Sequence, residues 1–105
     1  MAVVAKICGL KTPETVAAAV EYGAGLIGFN FYARSPRSTD PANVKRLGAL
    51  VPPRVKKVGL IVDETDDRIA EILAGCDLDV LQLHGKETPQ RVAEIRARFG
   101  KPVIK

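Results

Sequence analysis

The sequence predicts an α/β fold of the parallel (βα)8 TIM-barrel type, of which these 105 residues supply about four βα units and a fifth strand. Short β-rich runs alternate with helical runs at a regular interval, which is typical of right-handed βαβ units. The loop after the first run contains no GxGxxG or Walker lysine motif, which disfavours a nucleotide-binding doubly wound sheet. Because a complete barrel takes about 250 residues, we expect residues 1–105 to form a single domain, the N-terminal half of a barrel.

The first unit combines a β-rich run with a well-marked helix start. Residues 3–8 predict a strand, which Gly9 ends. Thr12 is then a good N-cap, and Pro13 fits the first helical position. Gly23 predicts the end of this helix.

The second unit follows the same order. Residues 26–32 predict a strand, and the polar residues 33–39 predict the loop after it. Asp40 and Pro41 mark the start of a helix, which the proline pair at 52–53 should end because proline removes a backbone donor. Three apolar residues keep helical spacing along it: Val44, Leu47 and Leu50.

The alternation continues to the last residue. The remaining predicted elements are a strand at 55–62, a helix at 66–73, a strand at 78–83, a helix from Thr88 toward Phe99 and a strand at 102–104.

The charged residues give little indication of a macromolecular partner. The net charge of +4 comes from 16 basic and 12 acidic residues that are scattered among one another, as on a solvated surface. With two Tyr, three Phe and no Trp the chain has few stacking platforms, so we expect no nucleic-acid partner. No apolar run approaches the roughly 18 residues of a membrane helix, so we expect no membrane span.

The two cysteines indicate a reducing compartment. The apolar run before Lys6 is too short for a signal peptide, so we expect a cytoplasmic protein with free thiols. Neither Cys8 nor Cys76 has a second thiol or a histidine at ligand spacing, so the sequence predicts no metal site.

Candidate functional residues stand where strands end, because the βα loops of a barrel converge there. Cys8 lies at the end of the first strand and shares the parity of Lys6, so the two side chains should face the same side. A neighbouring ammonium favours the thiolate, the form of cysteine that can act as a base. The alternative is a small buried hydrophobe, the role we expect for Cys76.

The loop after the second strand and the end of the fourth strand supply further candidates. Arg37 follows a proline and could grip a carboxylate or phosphate with two hydrogen bonds, as could Arg34, although loop arginines are usually only solvated. Gln82 and His84 share one parity and could face the barrel interior, or His84 could simply cap backbone groups. Asp63 is most simply an acid at a helix start.

Taken together, these segments resemble the successive motifs of the phosphoribosylanthranilate isomerase family, and the similarity covers the whole chain in order. The motifs are KICGL at 6–10, GFNFY at 28–32, SPR at 35–37, VGLIV at 58–62, LQLHG at 81–85 and PVIK at 102–105. Ala33 and Arg34 depart mildly, since the family more often has proline and lysine there.

The resemblance implies an Amadori rearrangement of N-(5-phosphoribosyl)anthranilate in tryptophan biosynthesis, without metal or organic cofactor. It implies that Cys8 is the catalytic base, that Arg37 binds the anthranilate carboxylate, and that Lys6, Gln82 and His84 line the pocket. The family's general-acid aspartate and phosphate-binding loops lie beyond strand five, so we expect this segment to need the C-terminal half-barrel for activity.

Two other interpretations remain open from the sequence. The chain could be a non-catalytic half-barrel that forms a homodimer or pairs with another partner through its sheet edges. It could also belong to a different phosphate-binding barrel isomerase or lyase, if the matches at Cys8 and Arg37 were coincidental.

Overall fold

A computed structural model of the protein describes residues 6–105, so residues 3–5 of the first predicted strand lie outside it. Strands and helices alternate throughout the described part. In chain order they are β1 (Lys6–Ile7), α1 (Pro13–Tyr22), β2 (Leu26–Asn30), α2 (Pro41–Gly48), β3 (Lys56–Ile61), α3 (Asp66–Gly75), β4 (Val80–Leu83), α4 (Pro89–Phe99) and β5 (Val103–Ile104).

The five strands form one parallel sheet in the order β1-β2-β3-β4-β5. Each strand pairs with the next one in sequence, for example Lys6 with Leu26 in the first pair and Leu81 with Val103 in the last. This is the order of neighbouring strands in a βα barrel, and it confirms the predicted partial (βα)4 plus β architecture.

One face of the sheet carries the hydrophobic core. Side chains alternate between the faces of a strand, and the odd-numbered positions of β2, β3 and β4 pack against the helices. Five of these side chains have 0–1% of their surface exposed: Ile27, Phe29, Ile61, Leu81 and Leu83. Full burial of such a side chain stabilises the fold by about 1.5–3 kcal/mol, so this helix-covered face determines the register of the sheet.

The even-numbered positions form the other face, which we call the inner face. It carries Gly28, Asn30, Leu60, Gln82 and His84, and all of these except Gly28 are half-buried or exposed. The candidate polar residues of the sequence therefore lie opposite the helix-covered core.

Each helix begins at a side-chain N-cap. Thr12, Asp40, Thr65 and Thr88 each accept a hydrogen bond from the backbone N–H three residues later. Such a cap stabilises a helix by about 1 kcal/mol, which explains why the predicted starts of the helices are confirmed.

The ends of the elements were predicted less well. The second helix ends at Gly48, and Leu50 is 50% exposed, so its prediction as part of the apolar face was wrong. Turn hydrogen bonds from Leu50 N–H to Leu47 O and from Val51 N–H to Gly48 O replace the helical pattern there. β2 ends at Asn30 because the Asn30 side chain accepts the Tyr32 N–H and turns the chain.

Within residues 6–105, no helix combines the length and apolarity needed to cross a membrane.

Candidate active site

A cavity of about 530 Å3 opens at the carboxyl ends of β1 to β4. A smaller cavity, of about 390 Å3, lies at the opposite end of the strands, between the ends of α2 and α3. Reactive groups of βα barrels gather where the strands end, so the larger cavity is the candidate site. Its lining comprises Cys8, Gly9, Asn30, Tyr32, Ser35, Pro36, Arg37, Leu60, Val62 and His84.

Cys8 lies on the inner face, directly after β1. The Gly9 and Leu10 N–H groups both donate to the Gly28 carbonyl, at 3.0 and 3.3 Å, and so attach the end of β1 to β2. The Cys8 thiol is free and half-buried, and it borders the same cavity as Arg37. The parity argument thus gave the correct side of the sheet for Cys8.

A chain of hydrogen bonds holds the backbone of Arg37. The Asn30 amide donates to the Ser35 hydroxyl at 3.3 Å, and the same hydroxyl accepts the Arg37 N–H at 3.1 Å. The Lys11 ammonium donates to the Pro36 carbonyl at 2.6 Å on the outer side of the loop. The guanidinium of Arg37 is therefore carried on a loop folded against the end of β2.

Asn30 and Ser35 were not among the residues selected from the sequence. Ser35 could have been found from the sequence, because the hydroxyl of a serine in a loop commonly accepts the backbone N–H of the residue two positions later. Asn30 also lies at the end of a strand, as Cys8 does, and it shares the parity of Gly28.

Lys6 and Gln82 form a pair beneath the cavity. The Lys6 ammonium donates to the Gln82 side-chain carbonyl across the inner face, from β1 to β4. Each lies two residues before a cavity-lining residue, Cys8 or His84, so the pair lies one layer nearer the starts of the strands. Neither Lys6 nor Gln82 borders the cavity itself, in contrast to His84.

His84 is exposed at the rim. Its backbone N–H donates to the Ile61 carbonyl at 3.0 Å, which continues the β3–β4 ladder. The structure therefore brings together Cys8, Arg37 and His84 around one cavity. Arg34 is exposed and outside the lining.

Cys76 has a different environment from Cys8. It is buried in the helix-covered core, and its thiol donates to the Ile72 carbonyl at 3.2 Å. Burial, with a smaller contribution from the Asp77 carboxylate, raises the pKa of Cys76 to about 11. Such a thiol stays protonated near neutral pH and serves packing.

Glu87 is a rim residue that the sequence analysis missed. Its side chain is 3% exposed, and its carboxylate accepts the Asp63 N–H at 2.8 Å, the Gly85 N–H at 2.9 Å and the Lys105 ammonium at 3.0 Å. Burial alone raises the pKa of Glu87, but these donors outweigh it and hold the pKa below its usual range. No periodicity in the sequence distinguishes this glutamate from a solvated one.

Asp63 was wrongly interpreted as an acid at a helix start. α3 begins at Asp66 with Thr65 as its N-cap, and the Asp63 carboxylate instead accepts the Lys86 N–H at 2.7 Å. The backbone of Asp63 has a φ of 48°, which is a left-handed conformation. Its carboxylate contacts the loop after β4. We refer to Asp63, Glu87 and Lys105 as the carboxylate clamp.

A parallel sheet with one helix-covered face, and with a thiol, a guanidinium and an imidazole around one cavity at its carboxyl edge, is typical of part of a βα-barrel protein. Residues 5–105 match the family model described as N-(5'-phosphoribosyl)anthranilate (PRA) isomerase, and the chain belongs to this family.

Curated relatives support this assignment. The N-(5'-phosphoribosyl)anthranilate isomerase of Paracoccus denitrificans is 51% identical over 105 residues, which is all of this chain and 49% of that protein. The enzyme of Cereibacter sphaeroides is 49% identical over 100 residues, 95% of this chain and 47% of that protein. The chain thus spans about half the length of the curated relatives it matches.

Solved structures agree. Phosphoribosylanthranilate isomerase from Thermotoga maritima matches 97% of this chain and 49% of its own, with a TM-score of 0.89 and 34% identity. A structure of the enzyme in complex with reduced 1-(o-carboxyphenylamino)-1-deoxyribulose 5-phosphate also has a TM-score of 0.89 and 34% identity, over 97% of this chain and 52% of its own.

Proposed function

We propose that the protein to which this chain belongs catalyses the Amadori rearrangement of N-(5-phosphoribosyl)anthranilate, an aminoaldose, to the corresponding aminoketose in tryptophan biosynthesis. The observation that carries the proposal is that Cys8 and Arg37 border one cavity at the carboxyl edge of the sheet. Family membership supplies the reaction, and the cavity supplies a base and a carboxylate-binding group in reach of one small ligand.

Cys8 is the catalytic base of this reaction. An acid first protonates the ring oxygen, the ring C–O bond breaks, and the nitrogen lone pair forms a C=N bond, which leaves a protonated imine. The imine withdraws electrons from the adjacent C–H bond, and the Cys8 thiolate takes that proton to leave an enolamine. The enolamine then tautomerises to the aminoketose. A modest base suffices because the imine has already acidified the C–H bond.

Arg37 binds the anthranilate carboxylate. The related structure described above contains a ligand with both a carboxyphenyl group and a phosphate, so a substrate of this kind has two anionic ends. A guanidinium can hold a carboxylate through two parallel hydrogen bonds, which fixes the plane of the aromatic ring. Arg37 is suited to this role because its backbone is held by Ser35.

Lys6, Gln82 and His84 complete the pocket in this proposal. His84 is exposed at the rim and is available to hydrogen-bond the sugar or the nitrogen. Lys6 and Gln82 engage each other beneath the cavity and contribute a positive, polar floor under Cys8.

The general acid and the phosphate-binding loops are proposed to come from the C-terminal half-barrel. The rim carboxylates Asp63 and Glu87 are already hydrogen-bonded to backbone groups and to Lys105. Neither carboxylate borders the cavity that Cys8 and Arg37 line, so we expect no turnover from residues 1–105 alone. The protein is proposed to act in the cytoplasm, where reducing conditions keep the Cys8 thiol free.

The proposal is tested in a completed barrel, which we define as residues 1–105 joined to the remaining half of the Paracoccus denitrificans enzyme. Turnover is followed by the loss of substrate fluorescence. We expect Cys8→Ala to lower kcat by about 10²- to 10⁴-fold, the usual contribution of a general base. Cys76→Ala is the matched control and should keep kcat within about threefold, because Cys76 serves packing. A folded Cys8→Ala protein with nearly full activity would refute the role of Cys8.

A homodimer is the second proposal for this chain, and one observation favours it. β1 and β5 each pair on a single side within the described sheet, and apolar side chains such as Leu60 and Val62 are only half-buried on the inner face. Unpaired edges of this kind favour association. Sedimentation of residues 1–105, alone and mixed with the separately produced C-terminal half, distinguishes the two proposals. A stable dimer favours self-association, whereas binding to the C-terminal half favours the barrel.

A further inference from the structure

Two glycines lie directly beneath the two side chains to which we assign base catalysis and carboxylate binding. We propose that Gly28 is the positioning residue for the Cys8 thiol and that Gly9 is the positioning residue for the Arg37 guanidinium. The inference rests on the proposed function for its kinetic consequences, but its structural part concerns only where the two side chains lie.

Gly28 faces Cys8 across the β1–β2 pair. A Cβ atom added at Gly28 would lie 2.5 Å from the Cys8 sulfur and 3.3 Å from the Cys8 Cα. The first distance is far below any real carbon–sulfur contact, and the second involves backbone that cannot rotate away. The thiol therefore occupies the volume that any side chain at position 28 would fill.

The requirement for glycine at position 28 is steric. The described glycines with positive φ are Gly9, Gly23 and Gly100, so the backbone of Gly28 is open to any residue. The Gly28 carbonyl also accepts the Gly9 and Leu10 N–H groups. These hydrogen bonds hold the end of β1 against β2, so the strands cannot separate to admit a methyl group without losing them.

Gly9 plays the corresponding part for Arg37. An added Cβ would lie 2.6 Å from the Arg37 Cδ and 3.4 Å from its Cβ and Cγ, so the side-chain stem crosses the Gly9 backbone. Gly9 also has a φ of 77°, which L side chains rarely adopt. Since Gly9 follows Cys8 and bonds to Gly28, one short stretch of backbone determines both the thiol and the guanidinium positions.

The two substitutions should therefore have different kinetic effects. A methyl group at position 28 displaces the base, so it should lower kcat with little change in KM. A methyl group at position 9 displaces the carboxylate-binding group, so it should raise KM more than it lowers kcat. If the two glycines had only a structural role, both substitutions would lower activity, but one would not act on kcat and the other on KM.

The first experiment compares Gly28→Ala with Gly59→Ala in the completed barrel. Gly59 is a matched control because its added Cβ would lie 2.5 Å from Leu78 Cδ1, an equally close contact on the helix-covered face. Alkylation of each thiol by iodoacetamide is followed by mass spectrometry, with buried Cys76 as the internal reporter of folding. We expect Gly28→Ala to change the Cys8 alkylation rate by at least about threefold and to lower kcat about tenfold, since misplacement of a base by a fraction of an ångström is costly. Gly59→Ala should leave both within about twofold.

The second experiment compares Gly9→Ala with Gly100→Ala. Gly100 has a φ of 64° and no atom within 4 Å of an added Cβ, so it reproduces the backbone strain without the contact. We expect KM to rise about tenfold for Gly9→Ala only. In an Arg37→Ala background, Gly9→Ala should raise KM no further.

A double variant covers the case in which Gly28→Ala does not fold, which rapid alkylation of Cys76 would reveal. Cys8→Ala removes the sulfur, so Gly28→Ala/Cys8→Ala should regain at least half of the lost Tm. An unchanged Cys8 alkylation rate in a folded Gly28→Ala protein, or no recovery of Tm in the double variant, would overturn the inference for Gly28. Equal effects of Gly9→Ala and Gly100→Ala on KM would overturn it for Gly9.

These outcomes are separable from the proposed function. If the alkylation rate and Tm behave as expected while Cys8→Ala remains fully active, Gly28 positions the thiol and the proposed catalytic role of Cys8 is wrong. If Cys8→Ala is inactive while Gly28→Ala behaves as Gly59→Ala does, the proposed function stands and the inference falls.

Discussion

The two sides of the rim are built in opposite ways. On the β1–β2 side, Cys8 and Arg37 reach the cavity over glycines, and among residues 6–105 no hydrogen bond engages the thiol or the guanidinium. On the β3–β5 side, the charged groups of the carboxylate clamp form hydrogen bonds within the protein. Glu87 accepts hydrogen bonds from the backbone N–H groups of Asp63 and Gly85 and from the Lys105 ammonium.

This difference shows how a single rim can combine reactivity with stability. A buried carboxylate must have hydrogen-bond partners, and Glu87 finds them in the loop after β3, in its own loop after β4 and in Lys105 after β5. A side chain that is to meet a ligand must instead keep its donors and acceptors available. The clamp is thus expected to determine stability, and the β1–β2 side to determine binding and turnover.

The largest expected effect on this comparison comes from removing the clamp. Glu87→Ala leaves the Asp63 and Gly85 N–H groups without their acceptor and the Lys105 ammonium with only the Gly85 carbonyl as a partner. We expect the completed barrel to lose about 3 kcal/mol of unfolding free energy, measured by urea denaturation. Glu71→Ala is the control, because the Glu71 side chain is 69% exposed and pairs with Arg68 at the surface.

Glu71→Ala should cost less than about 1 kcal/mol, as exposed ion pairs do. Similar losses for the two variants would show that the clamp does not stabilise the rim. A large fall in kcat for a still folded Glu87→Ala protein would break the division between the two sides.

A smaller effect is expected from Arg37→Ala, and it should appear in binding. Hydrogen bonds to a charged group contribute about 2 kcal/mol, so we expect KM to rise about 30-fold with little change in stability. Arg34→Ala is the matched control from the same loop, since Arg34 is exposed and outside the cavity. Steady-state kinetics of the completed barrel provide the measurement, and an equal change in KM for both variants would contradict the role of Arg37.

The smallest expected effect is a dependence of the unfolding free energy on pH, which the Glu87 carboxylate should cause. The pKa of Glu87 is lowered in the folded protein by its hydrogen-bond donors and Lys105, in spite of burial. The stabilisation is then present above the unfolded pKa of about 4.3 and is lost as the pH falls through the folded pKa.

Urea denaturation from about pH 6 to about pH 3 tests this dependence, because the affected window lies around and below the ordinary glutamate pKa. The protein with Glu87 should lose more stability over this range than Glu87→Gln. Parallel curves for the two proteins would mean that the carboxylate of Glu87 is not preferentially ionised in the fold.

Much of the fold could be predicted because its signals are local. N-caps such as Thr12 and Thr88, and prolines at first helical positions, act within one turn of a helix, and successive side chains of a strand point to opposite faces of the sheet. The same parity gave the correct face for Cys8. Where a competing local bond existed, as in the turn around Leu50, the prediction failed.

The order of strands and helices, N-caps such as Thr12 and Thr88, and the common face of Lys6 and Cys8 were therefore determined by the sequence itself. Only the tertiary structure decided that Lys6 meets Gln82, that Glu87 bonds the backbone of Asp63, and that the thiol lies in the space left by Gly28. The physical reason is distance along the chain: each of these contacts joins residues at least twenty positions apart, and no local pattern reports which distant group occupies a given volume or accepts a given proton.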